Sequence, residues 1–373
     1  MEPGASDETR AVIWRLCLGW CGFLFAIYAV ATFAMSASML AETIAAERRH
    51  KARLDPNAVE AGRTEADDHA PRLDRAAKSL EVTAGIYVDR IFDVSARNTR
   101  WMADFYIWFR WRGDDTSPGD SIQLVDGAII TKTLESRNDD GDAHYALYRI
   151  KGEITKFFNV SRFPRDDHVL TIRLEDSSQQ SYDLTYLPDR EGSGVSSRVE
   201  IPGYRIRRAD LVEKKHSYKT RRGDLRLPEG HKATYSQLVH GIWIERAGWG
   251  LYLKMFIGIF ASVAIALLAF FINPAHTGPK FEVGIGAFFA AIASTYIVTR
   301  QLPLSDTFGL TELVTFVSLM TILLTLLTSA ISVWVYGQLG EATLSRRLDR
   351  LAQVIIGAGY VTLNLVVALA ASV

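Results

Sequence analysis

The stretch GPKFEVGIGAFFAAIASTYIVTRQLP, residues 278–303, has the length of a membrane helix but carries charge near both ends. Lys280 and Glu282 lie near its start, and Arg300 lies near its end. The 17 uncharged residues between them, 283–299, would extend about 26 Å as a helix, close to the thickness of the hydrocarbon core. Small residues together with charges on a spanning helix indicate close packing and a water-facing side.

The rest of the chain contains more apolar blocks of this kind. Overall 48% of the 373 residues are hydrophobic, but these residues are concentrated in blocks of 19 or more. Such blocks are long enough to cross a membrane as helices. We therefore expect five transmembrane helices, with one large aqueous domain between the first and the second. The blocks are residues 16–40, 248–273, 281–299, 308–336 and 353–373.

The first apolar block, residues 16–40, has two interpretations. It follows a short polar tail, residues 1–15, and its 25 uncharged residues exceed the core of a secretory signal, which has about 7–15. This length favours a retained N-terminal transmembrane anchor, and a cleaved signal sequence is the alternative. Cys17 and Cys21 lie inside this block, which excludes a structural disulfide framework. Residues 41–80 then form a charged linker.

Lysine and arginine residues in the short loops predict the orientation. The loop 337–352 contains three arginines, and the loop 274–280 ends with a lysine. Because positive charge stays on the cytosolic side, we expect both loops and the N-terminal tail in the cytosol. The protein is then a multi-pass protein of the cell membrane, the inner membrane in a bacterium, with its large domain extracellular or periplasmic. The basic segment 47–53 disagrees, because it falls on the predicted outer side.

Residues 101–111, WMADFYIWFRW, predict a β-strand, because apolar side chains occupy every second position. Further β-type runs follow, and turn residues such as those at 138–142 separate them. Short strands with no helix between them are typical of an antiparallel β-sandwich, which we place at residues 81–247. The further runs are residues 122–125, 144–151, 168–174, 182–186, 204–211 and 233–246.

Several distinctive residues occur in a fixed order along the chain. Residues 158–168, FNVSRFPRDDH, contain a Phe-Pro-x-Asp core; Arg246 ends the last β-type run; Lys280 opens the apolar helix and Leu302-Pro303 follows it. With Gly85-Ile86-Tyr87 ahead of the first long strand, this order resembles the pentameric ligand-gated ion channels, the Cys-loop receptor superfamily. Phe-Pro-x-Asp is the core of the signature loop of that family.

The resemblance implies a complete architecture. Residues 81–247 would form an extracellular β-sandwich that binds ligand, and residues 248–373 a transmembrane four-helix bundle with the channel. One extra N-terminal transmembrane helix would precede them. The helices of the channel domain would be residues 248–273, 280–300, 306–336 and 353–373, with a cytosolic loop at 337–352.

The chain departs from the family pattern in three places. Lys156 and Leu170 stand where eukaryotic members have the loop cysteines, which matches the prokaryotic branch. Between Trp111 and Tyr145 the chain is short and contains no Trp-x-Pro element, which weakens the likeness to the neurotransmitter site. The span at residues 16–40 is additional to the four helices of the family.

The resemblance assigns the pore to the helix at residues 280–300. Helical spacing from Glu282 then defines one stripe along this helix. A ring of Glu282 side chains would favour cations, Phe289 would form an apolar constriction, and Arg300 would oppose cations at the other end. We expect the acidic ring to determine the ion selectivity, so that the channel conducts cations. The alternative is that the side chains of Lys280 and Glu282 only extend to the membrane surface and line no pore. The predicted pore-lining residues are Glu282, Gly286, Phe289, Ala293, Tyr296 and Arg300.

Asp93, Asp166 and Arg246 are predicted to couple the two domains. The resemblance places all three at the membrane end of the β-sandwich. A charge cluster there could switch between two arrangements and so link domain motion to the helices. A fixed salt bridge is the alternative interpretation.

Tyr106 and Trp108 are the candidate ligand-binding residues, because they resemble the aromatic strand of the family's binding site. The hairpin at 219–232 would cap this site. Aromatic rings suit a cation, whereas the basic residues of the hairpin suit an anion, so the agonist remains unknown. Ordinary sheet or subunit packing of Trp108 is the alternative. A proton is the other agonist, and His168 or His240 could titrate between pH 5 and 8 or serve a structural role.

The sequence contains no recognisable enzyme motif. It has no HExxH, no phosphate-binding loop and no Gly-x-Ser-x-Gly. We therefore predict a protein that is not an enzyme, with no catalytic residue, no cofactor and no resident metal. The acidic residues Asp139, Asp140 and Asp142 could bind Ca²⁺, but an ordinary solvated hairpin turn is the favoured interpretation.

These expectations combine into one favoured function. The chain would be the subunit of a homopentameric, ligand- or proton-gated ion channel that selects cations. Its partners would be further copies of itself, the lipid bilayer, permeant ions and an unknown small molecule or proton, with no nucleic acid. The alternative is a non-conducting membrane receptor or scaffold that keeps a channel-like fold and signals to a partner.

Overall fold

The computed structural model describes residues 7–57, 79–113, 117–300, 308–339 and 342–372. The contacts within the chain divide it into two compact units. The first, which we call the helix unit, comprises Met1–Ile44, Val160–Asp166 and Gly248–Val373. The second, the sheet unit, comprises Ala45–Asn159 and Asp167–Ala247.

The strands of the sheet unit form two sheets in the described part of the chain. One sheet has the order β4-β5-β2-β1-β7, with β8 also beside β1, and the other has the order β3-β6-β10-β9. The strands are β1 (Leu80–Ser95), β2 (Arg100–Arg112), β3 (Ile122–Leu124), β4 (Gly127–Asp140), β5 (Ala143–Thr155), β6 (Asp167–Asp176), β7 (Leu184–Pro188), β8 (Gly194–Val195), β9 (Tyr204–Ser217) and β10 (Thr234–Arg246).

Both sheets contribute side chains to one hydrophobic core. On β2 every second side chain from Trp101 to Trp111 is buried, as the alternation in the sequence predicts. Strands of the other sheet supply Ile172 and Leu238 to the same cluster. Burying one such apolar side chain contributes about 1.5–3 kcal/mol, so this shared core is a major source of stability for the sheet unit.

One edge of the first sheet differs from the predicted antiparallel arrangement. β1 pairs in parallel with β7 and with β8. The preceding strand, β6, lies in the other sheet, so the chain changes sheets before β7 and enters beside β1 in the same direction. The prediction of a purely antiparallel domain is therefore wrong at this edge, and it is correct for the pairs β1–β2, β2–β5 and β9–β10.

β4 is a strand that the apolar pattern does not reveal. Nearly all of its residues are exposed on both faces, so its sequence lacks the alternation of a half-buried strand. It is nevertheless paired with β5 along its length. Gly141 joins the two strands with a φ of +58°, a conformation that glycine adopts without strain. The turn residues predicted at 138–142 thus end a longer hairpin.

The helices are α1 (Asp7–Leu54), α2 (Gly250–Leu267), α3 (Thr277–Thr299), α4 (Leu310–Leu339) and α5 (Ala342–Ala370). A 3₁₀ turn, Leu268–Phe271, extends α2. Among the described residues, five helices are long and apolar enough to cross a membrane, as the sequence predicts.

Two helices are longer than their apolar blocks. α1 continues through the charged residues to Leu54, so the first part of the predicted linker is helical, and residues 58–78 lie outside the described residues. α5 begins at Ala342, inside the predicted loop. There the buried Leu348 and Ala352 lie on one helix face, while the arginines of the segment are exposed. Amphipathic turns of this kind extend a helix beyond its apolar block.

Hydroxyl groups join the helices of the helix unit. The hydroxyls of Tyr28 and Thr321 are 2.7 Å apart, and the indole nitrogen of Trp20 donates to Thr328 at 3.0 Å. Through these bonds α1 packs on α4 as an integral part of the unit. The buried hydroxyl residues of α4 are Thr311, Ser318, Thr321, Thr325, Thr328, Ser329 and Ser332.

Candidate functional site

All six residues of the predicted pore stripe on α3 are exposed. Phe289 has 66% of its surface accessible and Tyr296 has 57%, which is far above the usual value for an aromatic residue inside a protein. The opposite face of the helix packs inside the helix unit. Its buried residues are Lys280, Gly284, Ala287, Ala291 and Val298.

Small residues allow the neighbouring helices to approach α3. A Cβ atom at Gly284 would overlap the side chain of Leu326 on α4. On the α2 side, a Cβ atom at Gly258 would come within 2.7 Å of the hydroxyl oxygen of Ser294. Close approach of this kind is how membrane helices associate, so the small residues of α3 determine which face packs and which stays exposed.

The two charged residues of the stripe have different surroundings. Glu282 is exposed near the start of α3. The guanidinium of Arg300 lies 4.4 Å from the centre of the Tyr296 ring and also donates a hydrogen bond to its hydroxyl. The last two members of the stripe therefore form one pair. Leu302-Pro303, predicted as the turn after this helix, lies outside the described residues.

Lys280 points into the protein and not toward a membrane surface. Its ammonium nitrogen lies 2.6 Å from a carboxylate oxygen of Asp349 on α5, and both side chains are fully buried. The same nitrogen donates to the hydroxyl of Ser332 on α4 at 3.3 Å. The suggestion that Lys280 extends to the membrane surface is therefore wrong, because a buried carboxylate holds it. For Glu282 the suggestion stays open.

The predicted coupling residues belong to different units. In the sheet unit, Asp93 pairs with Arg100 at 3.0 Å, and Arg246 lies 3.9 Å above the ring of Tyr204. Asp166 is buried in the helix unit. A cluster of Asp93, Asp166 and Arg246 therefore stays a prediction.

The loop with the Phe-Pro-x-Asp core packs on the start of α4 inside the helix unit. The backbone N–H of Leu310 donates to the carbonyl of Ser161 at 2.7 Å, and the hydroxyl of Thr311 donates to the carbonyl of Phe163 at 2.9 Å. A Cβ atom at Gly309 would overlap the backbone of Ser161. The loop thus holds the beginning of the helix that follows α3.

α1 also contacts this loop, which the sequence does not reveal. The hydroxyl of Ser161 donates to a carboxylate oxygen of Glu42 at 3.1 Å. The neighbouring Thr43 donates to the carbonyl of Ala370 at the end of α5 at 2.9 Å. Glu42 lies just beyond the first apolar block, residues 16–40. Extending the predicted first helix by one turn would therefore have placed Glu42 near the membrane edge.

Tyr106 and Trp108 have partners within their own sheet. The indole nitrogen of Trp108 donates to Asp189 at 3.1 Å, and Arg110 binds the same carboxylate at 2.6 Å. The guanidinium of Arg149 lies 5.4 Å from the centre of the Tyr106 ring. These contacts fit the packing interpretation of Trp108 as well as a ligand site.

A second aromatic group lies at the capping hairpin, and sequence reasoning missed it. The guanidinium of Arg222 lies 4.3 Å from the ring centre of Tyr218 and 5.4 Å from that of Tyr235. Tyr218 donates at 2.6 Å to Glu175, which is fully buried. Burial raises the pKa of the Tyr218 hydroxyl, and the hydrogen bond to the Glu175 carboxylate raises it further. The chain therefore builds a cation cage and places its own arginine in it.

The acidic turn and the two candidate histidines also have defined surroundings. Asp139 accepts from Arg137 at 2.9 Å and contacts His144 at 2.7 Å, and the hydrogen bond with His144 lowers its pKa. His168 packs edge-on against Phe158. Burial lowers the pKa of His240 to about 4. Over the residues that the structure describes, no group of three His, Cys, Asp or Glu side chains could hold a metal ion.

No protein-family model matches the chain, and no curated protein matches it. Three structural features therefore bear on function: the exposed stripe of α3, the loop at the start of α4 and the cation cage of the sheet unit.

Proposed function

We propose that the chain is the subunit of a homopentameric, ligand- or proton-gated ion channel of the Cys-loop receptor type. In this proposal the two sheets form a β-sandwich outside the membrane, and α2 to α5 form the channel domain. Five copies of α3 surround a pore that favours cations. The permeant ions, the bilayer and an agonist are the partners of this assembly.

The exposed stripe of α3 is the observation that carries the proposal. A helix that only anchors a protein has no reason to keep glycine, alanine, two aromatic residues and charged ends along one line. The opposite face of α3 packs on α2 and α4, so the stripe is free to face other copies of the helix. Five such stripes would give a water-facing path.

The stripe also supports the proposed selectivity. Glu282 is its acidic residue, and a ring of carboxylates attracts cations. Arg300 would repel cations at the other end, but the ring face and the hydroxyl oxygen of Tyr296 lie against its charge. Phe289, midway between them, supplies an apolar barrier that closes by dewetting.

The loop on the start of α4 supports a gating role. α4 begins ten residues after Arg300, and its first backbone bond is made to Ser161. Movement of the loop would therefore displace the start of α4, the helix that follows α3 in the chain. Asp166 completes this loop, and its proposed partners Asp93 and Arg246 would connect it to the strands. Such a contact could have two alternative arrangements, and an agonist would open the channel by shifting the equilibrium between them.

The cation cage supports ligand gating. Two aromatic rings and a buried carboxylate recognise guanidinium or ammonium groups, and Arg222 occupies that position in the protein. An amine agonist would compete with Arg222 and release the hairpin. Tyr106 and Trp108 would contribute from a neighbouring subunit.

Cysteine accessibility combined with electrical recording tests the pore. Cys17 and Cys21 are replaced by alanine, and single cysteines are introduced at Glu282, Gly286 and Phe289. A water-soluble, positively charged thiol reagent should modify these cysteines and block current across a planar bilayer. Ile257, which is 67% exposed on α2, is the matched control, because a cysteine facing lipid should not react.

Two outcomes would contradict the proposal in different ways. If Ile257→Cys reacts as fast as Glu282→Cys, the stripe is not a water path. If particles have five-fold symmetry but give no current under any amine or pH step, the chain is a non-conducting receptor. Ion selectivity has its own readout, since Glu282→Gln should shift the reversal potential in a salt gradient toward zero.

A further inference from the structure

A cavity of about 390 Å³ opens at the β9 edge of the sheet unit. It is lined by Leu54 at the end of α1, by Arg190, by Arg208 and Leu211 of β9, and by His240 of β10. All of these residues belong to the sheet unit. The volume is in the range of small-molecule sites, which is about 300–1,000 Å³.

His240 is an unsatisfied polar group in the wall of this cavity. Only 1% of its surface is accessible, and neither ring nitrogen has a hydrogen-bond partner in the described chain. A neutral imidazole always carries one N–H donor and one acceptor nitrogen. Leaving buried polar atoms unpaired is unfavourable, so such atoms usually mark a missing partner.

Among the residues that the structure describes, no group is placed to satisfy this histidine. The cross-strand partners of His240 are Leu211 on β9 and Ile172 on β6, and both are apolar. On its own strand Leu238 and Ile242 belong to the hydrophobic core. Because His240 also lines the cavity, that is the side from which we expect a hydrogen-bonding partner to approach the ring.

The charges around the cavity favour an anion. Arg208 pairs with Asp210 at 3.4 Å, and Lys51 pairs with Glu47 at 2.8 Å. The exposed guanidinium of Arg190 makes no side-chain hydrogen bond or ion pair with any described residue. The lining also contains the carboxylate of Asp55, which accepts a hydrogen bond from the backbone N–H of Asn57, so three cationic and two acidic side chains give the lining a net charge of +1. A guanidinium is well suited to bind a carboxylate through two hydrogen bonds.

We propose that this cavity binds a small organic hydroxycarboxylate. The carboxylate binds Arg190, the hydroxyl group hydrogen-bonds to the ring of His240, and the carbon skeleton packs against Leu54 and Leu211. The site is separate from the cation cage and from the α3 stripe. It does not depend on the protein being a channel.

Binding to the purified full chain in detergent tests the proposal. The probes are glycolate, 3-hydroxybutyrate and 4-hydroxybenzoate, measured by isothermal titration calorimetry. Two relatives of the last probe separate the contacts: 4-hydroxybenzamide lacks the charge, and benzoate lacks the hydroxyl group. We expect at least one acid to bind, and its uncharged amide to bind about tenfold more weakly or worse, because a charge-assisted hydrogen bond is lost.

Variants assign the two contacts. Arg190→Ala should weaken binding of the acid about tenfold, while Arg97→Ala, an exposed arginine in the β1–β2 turn, should leave it unchanged. His240→Leu should remove the preference for 4-hydroxybenzoate over benzoate. Ala209 of β9 also lines the cavity, and a larger side chain there would fill it. If His240→Leu does not fold, Ala209→Phe should abolish binding instead.

Three results would overturn the proposal. The first is that none of the three acids binds, which would leave a trapped water as the partner of His240. The second is that Arg190→Ala and Arg97→Ala bind equally well. The third is that Ala209→Phe binds as the unmodified protein does, which would place the acid elsewhere.

Discussion

The interiors of the sheet unit and the helix unit are built from different side chains. The core between the two sheets is apolar and comes from alternate strand positions such as Phe105 and Ile107. The helix unit buries a row of hydroxyl groups along α4 and, beside them, the ion pair of Lys280 and Asp349. The sheet unit buries polar groups too, among them His240, Glu175 and Gln237, but most of these are ionisable or amide side chains, whereas most buried polar groups of the helix unit are hydroxyls.

Different solvents for the two units, water and lipid, would account for this difference. Apolar side chains gain free energy by leaving water, so a domain in water is held by an apolar core. Helices in lipid gain nothing comparable from apolar contact, and they associate through close packing of small residues and through hydrogen bonds. The close approach of helices at small residues and the hydrogen bonds between helices in the helix unit thus support a lipid environment independently of helix length.

Lys280→Ala should have the largest effect on stability. The substitution leaves Asp349 buried without its partner, and breaking a buried pair in this way costs roughly 3–5 kcal/mol. Unfolding by SDS in mixed micelles, followed by far-ultraviolet circular dichroism, measures the loss. The exposed Lys254 on α2 provides the control, because Lys254→Ala should change little.

The double variant Lys280→Met/Asp349→Leu separates charge from packing. Replacing both partners by apolar residues of similar volume removes the unpaired charge, so most of the stability should return. Equal losses for Lys280→Ala and Lys254→Ala would contradict the buried pair and would return Lys280 to the membrane surface.

The periodic parts of the chain were predictable from sequence, and the reasons are physical. The 101–111 alternation and the apolar blocks report burial directly, so β2 and the five helices were found. β4 has no buried face and therefore no signal. The parallel pairing of β1 with β7 depends on a change of sheet, which no local pattern encodes.

The candidate site was predictable only in part. Helical spacing identified the exposed stripe, because three- and four-residue steps define a face of any helix. It did not show that Lys280, two residues from Glu282, faces inward, since this depends on Asp349 sixty-nine residues away. The cation cage was missed for the same reason: Arg222 and Glu175 meet only in the folded sheet unit.

His240 should make the stability of the sheet unit depend on pH. Its pKa is about 4 in the folded protein, against 6.5 in the unfolded chain, because burial disfavours the imidazolium. Between these values the unfolded chain binds more protons, so stability is fully present above pH 6.5 and is lost as the pH falls toward 4. The shift corresponds to about 3 kcal/mol.

Urea titrations at a series of pH values, followed by tryptophan fluorescence, measure this dependence. His240→Leu should flatten the curve between pH 6.5 and 4, and His276→Leu, an exposed histidine of the helix unit, should not. An unchanged slope for His240→Leu would mean that another group in the sheet unit controls the transition.

Tyr218→Phe should have an intermediate effect. It removes the 2.6 Å hydrogen bond to the buried Glu175 but keeps the ring that stacks on Arg222. A hydrogen bond to a charged group contributes about 1.5–3 kcal/mol, so a loss in that range is expected in urea titrations. Tyr106→Phe, in the other sheet, is the control and should change stability little, so a loss of the same size there would contradict the assignment.

The smallest effect on stability is expected at the contact between α1 and α4. This contact tests whether α1 belongs to the interior of the helix unit. Tyr28 and Thr321 share a 2.7 Å hydrogen bond between helices. Double-mutant cycles with Tyr28→Phe and Thr321→Val in SDS should give a coupling of about 0.6 kcal/mol, typical of such bonds in lipid. A coupling of zero, together with a mature protein whose N-terminal sequence begins near the end of the first apolar block, would make residues 16–40 a cleaved signal sequence. A measurable coupling requires α1 to remain in the membrane beside α4, with its polar contacts contributing to the same interior as the Lys280–Asp349 pair.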